Sequence, residues 1–360
     1  MKIPLTKVEI GNDSIKAANQ ALKSGQWILG KKTEKFEKEF AKYCNVKYAV
    51  CVSSGTTALF LSMKALGVKK DDEVIVPSFS FIATASTVSM CEATPKFVDV
   101  NQHNFTINTQ DIKKKITKKT VGIIPVHLFG HASDMDPIKE IARKNSLFVL
   151  EDAAQAHGAE YKGKLIGGFG NAACFSFYPS KNLTVCGDGG IITSNDSKFI
   201  DKIKMLRDHG RKARYEHTMI GYNFRMGEIN AGIGLVRLKK LDQNNSERRR
   251  IAGRYNKKLK NVEKPTEESW AKHVYHQYSI MTKKRNQLLK FLSHNNIGAG
   301  VYYPIPIHKQ PVYTKFNKEK LPITEKISKQ ILSIPMFPSM TEKEQNFVIS
   351  KINEFCTKNI

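Results

Sequence analysis

Apolar and polar positions along the chain fall into two alternating kinds of segment. Seven short runs, "KYAVCVSS", "DEVIVPS", "PKFVDV", "VGIIPVHL", "LFVLEDA", "AACFSFY" and "GGIITS", have the length and β-branched content of strands. Between several of them the period lengthens. "TTALFLSMKAL" places Leu59, Met63 and Leu66 on one stripe, and "DMDPIKEIARKN" opens with acidic residues and Pro137, a good early-helix residue. Strands alternating with helices predict an α/β fold with a mostly parallel sheet covered on both faces.

The pattern changes near residue 235. "LVRLKKLDQNNSERRRIAGRYNKKLK" predicts one long charged helix, followed by the linker "NVEKPTEESW". A strand ("VYHQYSIMT"), a helix ("RNQLLKFLSHNN"), a second strand ("IGAGVYY"), a Pro-rich loop and a terminal helix from about Glu342 come next. The expectation is a large domain over residues 1–245, including the N-terminal segment, and a smaller C-terminal α+β domain over 246–360. A chain of 360 residues has room for two.

Composition removes several classes of function. No apolar run approaches the roughly 20 residues of a membrane-spanning helix, and "MKIPLTKVEIGNDS" lacks the apolar core of a signal peptide. A cytoplasmic enzyme that does not bind membranes is expected. The six cysteines, Cys44, Cys51, Cys91, Cys174, Cys186 and Cys356, form no C-x-x-C pair and read as buried free thiols; no metal site is expected. The formal charge of +25 comes mostly from dispersed lysines, with 11 Arg among the 58 basic residues and none before Arg143. Specific nucleic-acid readers lean on arginine forks and aromatic platforms. A solvated lysine surface fits this chain better, and no nucleic-acid partner is expected.

The chemistry concentrates in three stretches. In "SFYPSKNLTVCGDGG" a strand stops at Pro179, Lys181 follows, and Gly187, Gly189 and Gly190 allow a close turn. A lysine amine attacks carbonyl carbon only when deprotonated, so a rigid strand end is a suitable place for one. "LFVLEDAAQAHGA" ends a strand in Glu151 and Asp152, facing the crevice where α/β sheets bind ligands, with Gln155 three residues on; a helix N-cap at Asp152 is the structural alternative. "VSSGTTALFLSM" runs from strand through Ser-Gly-Thr-Thr into a helix, an anion seat or an ordinary capped helix. It is not a Walker loop. A phosphate seat, a carboxylate, a polar side chain and a lysine at neighbouring strand ends together fit pyridoxal phosphate.

Over nearly its whole length the chain resembles the DegT/DnrJ/EryC1/StrS family of sugar aminotransferases, pyridoxal enzymes of the aspartate-aminotransferase-like fold type I. "SGQWILGKKTEKFEKEFAKY", "SSGTTAL", "VPSFSFIATAS", "PVHLFG", "EDAAQAHGA", "SFYPSKNL…GDGG", "GYNFRM" and "VYYPIPIHKQ" occur in the family's order. The resemblance implies that Lys181 is the Schiff-base lysine and Asp152 the partner of the pyridine nitrogen. It places Gln155 beside the ring, Gly55, Thr56, Thr57 and Ser176 around the phosphate, and Phe81 stacked on the ring. Asn223 would reach the phosphate in the other subunit of a homodimer. Arg225, Tyr302, Tyr303 and His308 occupy family positions near the sugar or diphosphate. The alternatives are a structural salt bridge for Arg225 and a solvent-facing loop position for His308. Arg211 and Arg214 read as a phosphate-facing segment or a solvated loop.

The implied reaction moves an amino group from L-glutamate to a keto sugar on a nucleoside diphosphate, with pyridoxal 5'-phosphate cycling through pyridoxamine 5'-phosphate. "FYPSKNL…GDGG" resembles the branch acting at C3; amination at C4 is the alternative. A pyridoxamine-dependent sugar dehydratase would carry histidine in place of Lys181, and a non-catalytic regulator would not need Lys181, Asp152 and Gln155 intact. Products of this kind enter lipopolysaccharide, other surface glycans or glycosylated metabolites.

Overall fold

A computed structural model describes the chain over residues 1–358. Its centre is a seven-stranded sheet, ordered Tyr48–Val52, Gly190–Ser194, Ala172–Ser176, Phe148–Asp152, Thr120–Ile123, Glu73–Pro77 and Thr94–Val98. Gly190–Ser194 runs antiparallel to both neighbours and the other pairings are parallel. The strand runs read as continuously apolar because side chains alternate between two covered faces. Ala49, Cys51, Ile75, Val149, Ala173 and Phe175 point into one core. Val50, Val52, Val76, Leu150, Ala172 and Cys174 point into the other.

This topology gathers the carboxyl ends of the parallel strands along one edge. There Val52 leads into Ser53, Pro77 into Ser78, Asp152 into a turn and Ser176 into the Lys181 loop, and Gly190 begins the returning strand. The helix Gly55–Ala65 starts at this edge with a capping box: Ser54 accepts the Thr57 N–H while the Thr57 side chain accepts the Ser54 N–H.

Two expectations about the second half are corrected. The single charged helix is two, Glu228–Leu238 and Leu241–Lys258, separated at Lys239 and Lys240. The first buries Ala231 and Ile233; the second buries Ile251, Ala252 and Tyr255 in a separate C-terminal core. One straight helix would not aim both faces at their cores. "IGAGVYY" forms no strand but two isolated bridges, Ile297 with Ile3 and Gly300 with Ser333. The chain is held there against the N-terminal segment, where a Cβ on Gly298 would lie 2.5 Å from the Leu5 nitrogen. The partner of Tyr278–Met281 is instead Ile331–Ile334, antiparallel. Ile3 is fully buried in the same C-terminal core as this strand pair.

Five of the six cysteines are buried as expected; Cys186 is exposed, in the glycine-containing turn. No helix among the described residues is long and apolar enough to cross a membrane.

Candidate active site

Asp152 is the last residue of the strand Phe148–Asp152 and is 5% exposed. It caps no helix. One carboxylate oxygen accepts the Thr84 hydroxyl at 2.8 Å and the other accepts the Ala154 N–H at 3.2 Å. Burial raises its pKa, opposed by these two donors and by the nearby Lys181 and His127. On the adjoining strand end, Ser176 is followed by Phe177 and a loop in which the Lys181 N–H closes a turn on the Tyr178 carbonyl. Desolvation pushes the Lys181 amine down to about 8, with Asp152 pulling weakly the other way. No hydrogen bond or ion pair to this amine is found among the described residues.

The loop is pinned immediately behind the lysine. Asn182 is buried, donates to Asn245 Oδ1 at 2.8 Å and to the Val274 carbonyl at 3.1 Å, and meets His276 Nδ1 at 3.3 Å. Asn245 in turn donates to the His157 carbonyl at 2.8 Å. His157 lies between Phe175 and Phe177, with ring centroids 5.4 and 5.7 Å away. Burial, with Lys181 adding to it, takes the His157 pKa down to about 3, and burial takes that of His276 well below the ordinary range.

Gln155 is oriented from both sides. Its carbonyl oxygen accepts the Phe129 N–H at 2.8 Å and its amide donates to the Tyr303 hydroxyl at 3.1 Å. The Tyr303 ring lies 6.1 Å from that of Phe81, which is 53% exposed at the mouth of the crevice. Asp152, Gln155, Lys181, Tyr303 and Phe81 therefore share one end of the sheet, with Tyr302 beside Tyr303.

Next to them is a cradle at the start of the helix Gly55–Ala65. A Cβ on Gly55 would lie 2.7 Å from the Ser176 Cβ, and one on Gly190 would lie 2.3 Å from the Ser54 carbonyl oxygen. Only glycine allows these backbones to meet, which puts Ser176 against the first helical turn. The capping box uses the Thr57 N–H, leaving those of Gly55 and Thr56 as the open donors of that turn. This arrangement fits a phosphate group.

The remaining candidates lie apart from this cluster. Arg225 donates to Asp208 at 2.9 Å and to Asn223 Oδ1 at 3.0 Å, so the salt bridge weighed for it exists. Asn223 is exposed, and the neighbouring Phe224 carbonyl takes the Ser53 N–H at 2.9 Å, which ties this segment to the cradle's edge. Arg211 also pairs with Asp208; it and Arg214 belong to an exposed hairpin, with Arg214 over the Tyr215 ring. His308 is not solvent-facing. It is fully buried, its Nδ1 contacts Ser78 Oγ, and its Nε2 lies 3.4 Å from Glu325. It clamps the Pro-rich loop to the end of the strand Glu73–Pro77.

Residues 8–353 match the DegT/DnrJ/EryC1/StrS aminotransferase family. The chain belongs to this family. It is 40% identical over 341 residues to the dTDP-3-amino-3,6-dideoxy-alpha-D-galactopyranose transaminase of Aneurinibacillus thermoaerophilus, covering 94% of each chain. It is also 40% identical over 348 residues to a pleiotropic regulatory protein of Geobacillus stearothermophilus, covering 95% of this chain and 94% of that one. The crystal structure of DesV from Streptomyces venezuelae superposes with a TM-score of 0.96 at 36% identity, over 99% of this chain and 98% of that one. The fold is that of the pyridoxal-type aminotransferases, as the resemblance implied.

Thr84, Ser80, Asn182, Asn245 and His276 were not singled out from the sequence. His157 stands within "EDAAQAHGA", but nothing in that motif alone separates it from a packing residue.

Proposed function

We propose that this chain is a pyridoxal-phosphate-dependent aminotransferase that moves an amino group from L-glutamate to C3 of a keto sugar carried on a nucleoside diphosphate. The observation that carries the reading is the convergence of Asp152, Gln155 and Lys181 on one sheet edge beside a glycine-walled helix start. The 3-amino product in the name of the Aneurinibacillus relative supports C3, as does the "FYPSKNL…GDGG" pattern. The site keeps Lys181, Asp152 and Gln155 intact, which favours catalysis over a purely regulatory role.

When bound, the cofactor supplies an aldehyde that holds the amino group and a ring that accepts electrons from the carbon losing a proton. The chain's own residues do the rest. Gly55 and Thr56 N–H groups, with the Thr56 and Ser176 hydroxyls, would hold the phosphate, while Thr57, its proton given to the Ser54 carbonyl at 2.9 Å, shapes the seat through the capping box. Asp152, as a carboxylate, keeps a proton on the ring nitrogen. Gln155 and Phe81 hold the ring's position. Lys181 would hold the cofactor through its amine, and the same amine, once freed, would take the proton from the substrate carbon that loses it. With its amine near 8, roughly a tenth is neutral at pH 7, against about 0.03% for an ordinary lysine.

Tyr302 and Tyr303 would face the nucleotide sugar from this cluster, and Arg225, set apart with Asp208 and Asn223, keeps N–H groups for an anionic part of it. His308 serves this surface by anchoring the loop that follows Tyr303. We place two such subunits together, with Asn223 of each reaching the other's phosphate site; the exposed Tyr215 and Ile220 on the same segment fit burial by a second copy. Five buried, unpaired cysteines fit a reducing compartment such as the cytoplasm.

The test is to load the protein with pyridoxal phosphate, reduce with borohydride and map the labelled peptide. Label on Lys181 is expected, and label on another lysine overturns the assignment. Incubation of the loaded protein with glutamate, then with 3-keto and 4-keto nucleotide sugars, reads the acceptor as loss of the pyridoxamine absorbance. Reaction with 4-keto sugars alone rejects C3 and leaves the aminotransferase in place. A monomer in sedimentation at working concentration rejects the shared site.

A further inference from the structure

We propose that Ser80 and Thr84 form a one-way hydroxyl relay that holds Asp152 ionised and fixed in orientation, making Thr84 a positioning residue of the active site. Its catalytic meaning rests on the reading of Asp152 as the ring nitrogen's partner; the relay itself stands on geometry. Ser80 Oγ, Thr84 Oγ1 and Asp152 Oδ2 are linked by two contacts of 2.8 Å each. Ser80 is 4% exposed, Thr84 fully buried and Asp152 5% exposed.

The direction follows from proton counting. A threonine hydroxyl has one proton, and an ionised carboxylate can only accept. Thr84 therefore donates to Asp152. It has no proton left for Ser80, so Ser80 must donate to Thr84. Each bond polarises the next, which strengthens the one that reaches the carboxylate.

The same helix provides an internal control. Thr87, one turn on in Ala83–Met90, spends its proton on the Ala83 carbonyl at 2.8 Å, the ordinary back-bond of a threonine within a helix. Thr84 makes no such bond and turns its proton across to a strand 68 residues away in sequence. Phe81, on the same loop, is presented to the crevice mouth. One short segment thus sets both a ring-facing aromatic and the orientation of the carboxylate.

The groups around Asp152 show why it needs the relay. His127 follows the strand Thr120–Ile123. Its Nδ1 accepts the Ser133 N–H at 2.9 Å and its Nε2 faces Glu151 at 3.2 Å, so neither ring nitrogen donates to Asp152. Cys174, on the adjoining strand, and Tyr303, beyond Gln155, are both held protonated by burial. Lys181 is the cation nearest in role, and its amine loses its proton near pH 8. As Lys181 becomes neutral, the Thr84 hydroxyl and the Ala154 N–H are the donors left to keep a buried carboxylate ionised.

The experiment compares Thr84→Val, which keeps the shape and removes the donor, with Thr84→Ser, which keeps the donor. Carboxyl-13C-aspartate labelling follows Asp152 by NMR in the apoprotein, assigned by loss of the signal in Asp152→Asn. In Thr84→Val the Asp152 midpoint should rise by about one pH unit, the size of one hydrogen bond to a charged group. Thr84→Ser should return it to the wild-type value. Ser80→Ala should move it the same way by less. In the loaded enzyme the acid limb of kcat against pH should move up with it and return in Thr84→Ser. An unmoved midpoint in Thr84→Val, or no recovery in Thr84→Ser, overturns the relay. Should Thr84→Val fail to fold, Ser80→Ala decides alone, and an unmoved midpoint there refutes the relay. Wild-type protein that takes up no pyridoxal phosphate sinks the functional reading and leaves the apoprotein titration untouched.

Discussion

The two ends of the crevice treat charge in opposite ways. At the Asp152 end, two donors converge on a buried carboxylate: the Thr84 hydroxyl and the Ala154 N–H. At the Lys181 end, partners are withheld. The amine has no hydrogen-bond acceptor among the described residues, and the two imidazoles behind it, His157 and His276, are held neutral by burial. One end protects an ionised group in a place that disfavours ionisation, and the other lets the same desolvation bring an amine toward neutrality. Burial is common to both, and the hydrogen-bond donors and acceptors decide the outcome.

Removing Lys181 should break this contrast most severely. Lys181→Met is expected to bring turnover to background, since both the covalent link and the proton carrier are lost. The comparison also makes a less usual demand: the apoprotein should become more stable. The folded amine sits near 8 against 10.5 for a free lysine, so the unfolded chain binds more protons between those values. Stability therefore rises with pH across that window, and below pH 8 the full cost, on the order of 3 kcal/mol, is present. Lys181→Met removes that cost at pH 7. Urea unfolding of the two apoproteins at pH 7 and pH 10.5 measures it, and equal stabilities at pH 7 would mean the amine is not desolvated.

Asp152→Asn tests the other end. The amide keeps the shape but cannot hold a proton on the ring nitrogen. Losing one partner of a buried charge pair costs about 3–5 kcal/mol, which as transition-state stabilisation is a fall in kcat on the order of 10²–10³-fold or more. A loss below tenfold in single-turnover measurements with glutamate would place the essential charge elsewhere.

How much of this was legible in the sequence depended on how local each signal was. The sheet could be read because both faces are covered, which turns each strand into an uninterrupted apolar run. Lys181, Asp152 and Gln155 could be read because each stands in a contiguous motif at a strand end. Thr84 could not: in the first turn of a helix it looks like Thr87, and its partner lies on another strand. Asn182 and Asn245 meet across 63 residues with no periodic cue. The break at Lys239 and Lys240 was hidden because both are good helix formers and only the direction of the two cores requires it. His308 read as a loop residue because its burial depends on Ser78 and Glu325, both distant in sequence.

The finest test of the comparison is the histidine behind Lys181. His157 is neutral in the folded protein down to about 3, while an unfolded histidine protonates near 6.5. Between those values the unfolded chain binds more protons, so stability falls as the solution is acidified through that window. By pH 5 the loss from His157 alone is about 2 kcal/mol relative to pH 7. His157→Phe should remove it, since a phenyl ring can take the place between Phe175 and Phe177, and the Asn245 bond reaches only the backbone carbonyl. Its unfolding free energy should fall less between pH 7 and pH 5 than that of the wild type, by about that amount. His276 still titrates in the variant and leaves a residual slope. If both proteins lose stability equally, His157 is protonated in the folded state. The Lys181 amine would then face a cation, and its low pKa would arise from repulsion as much as from burial.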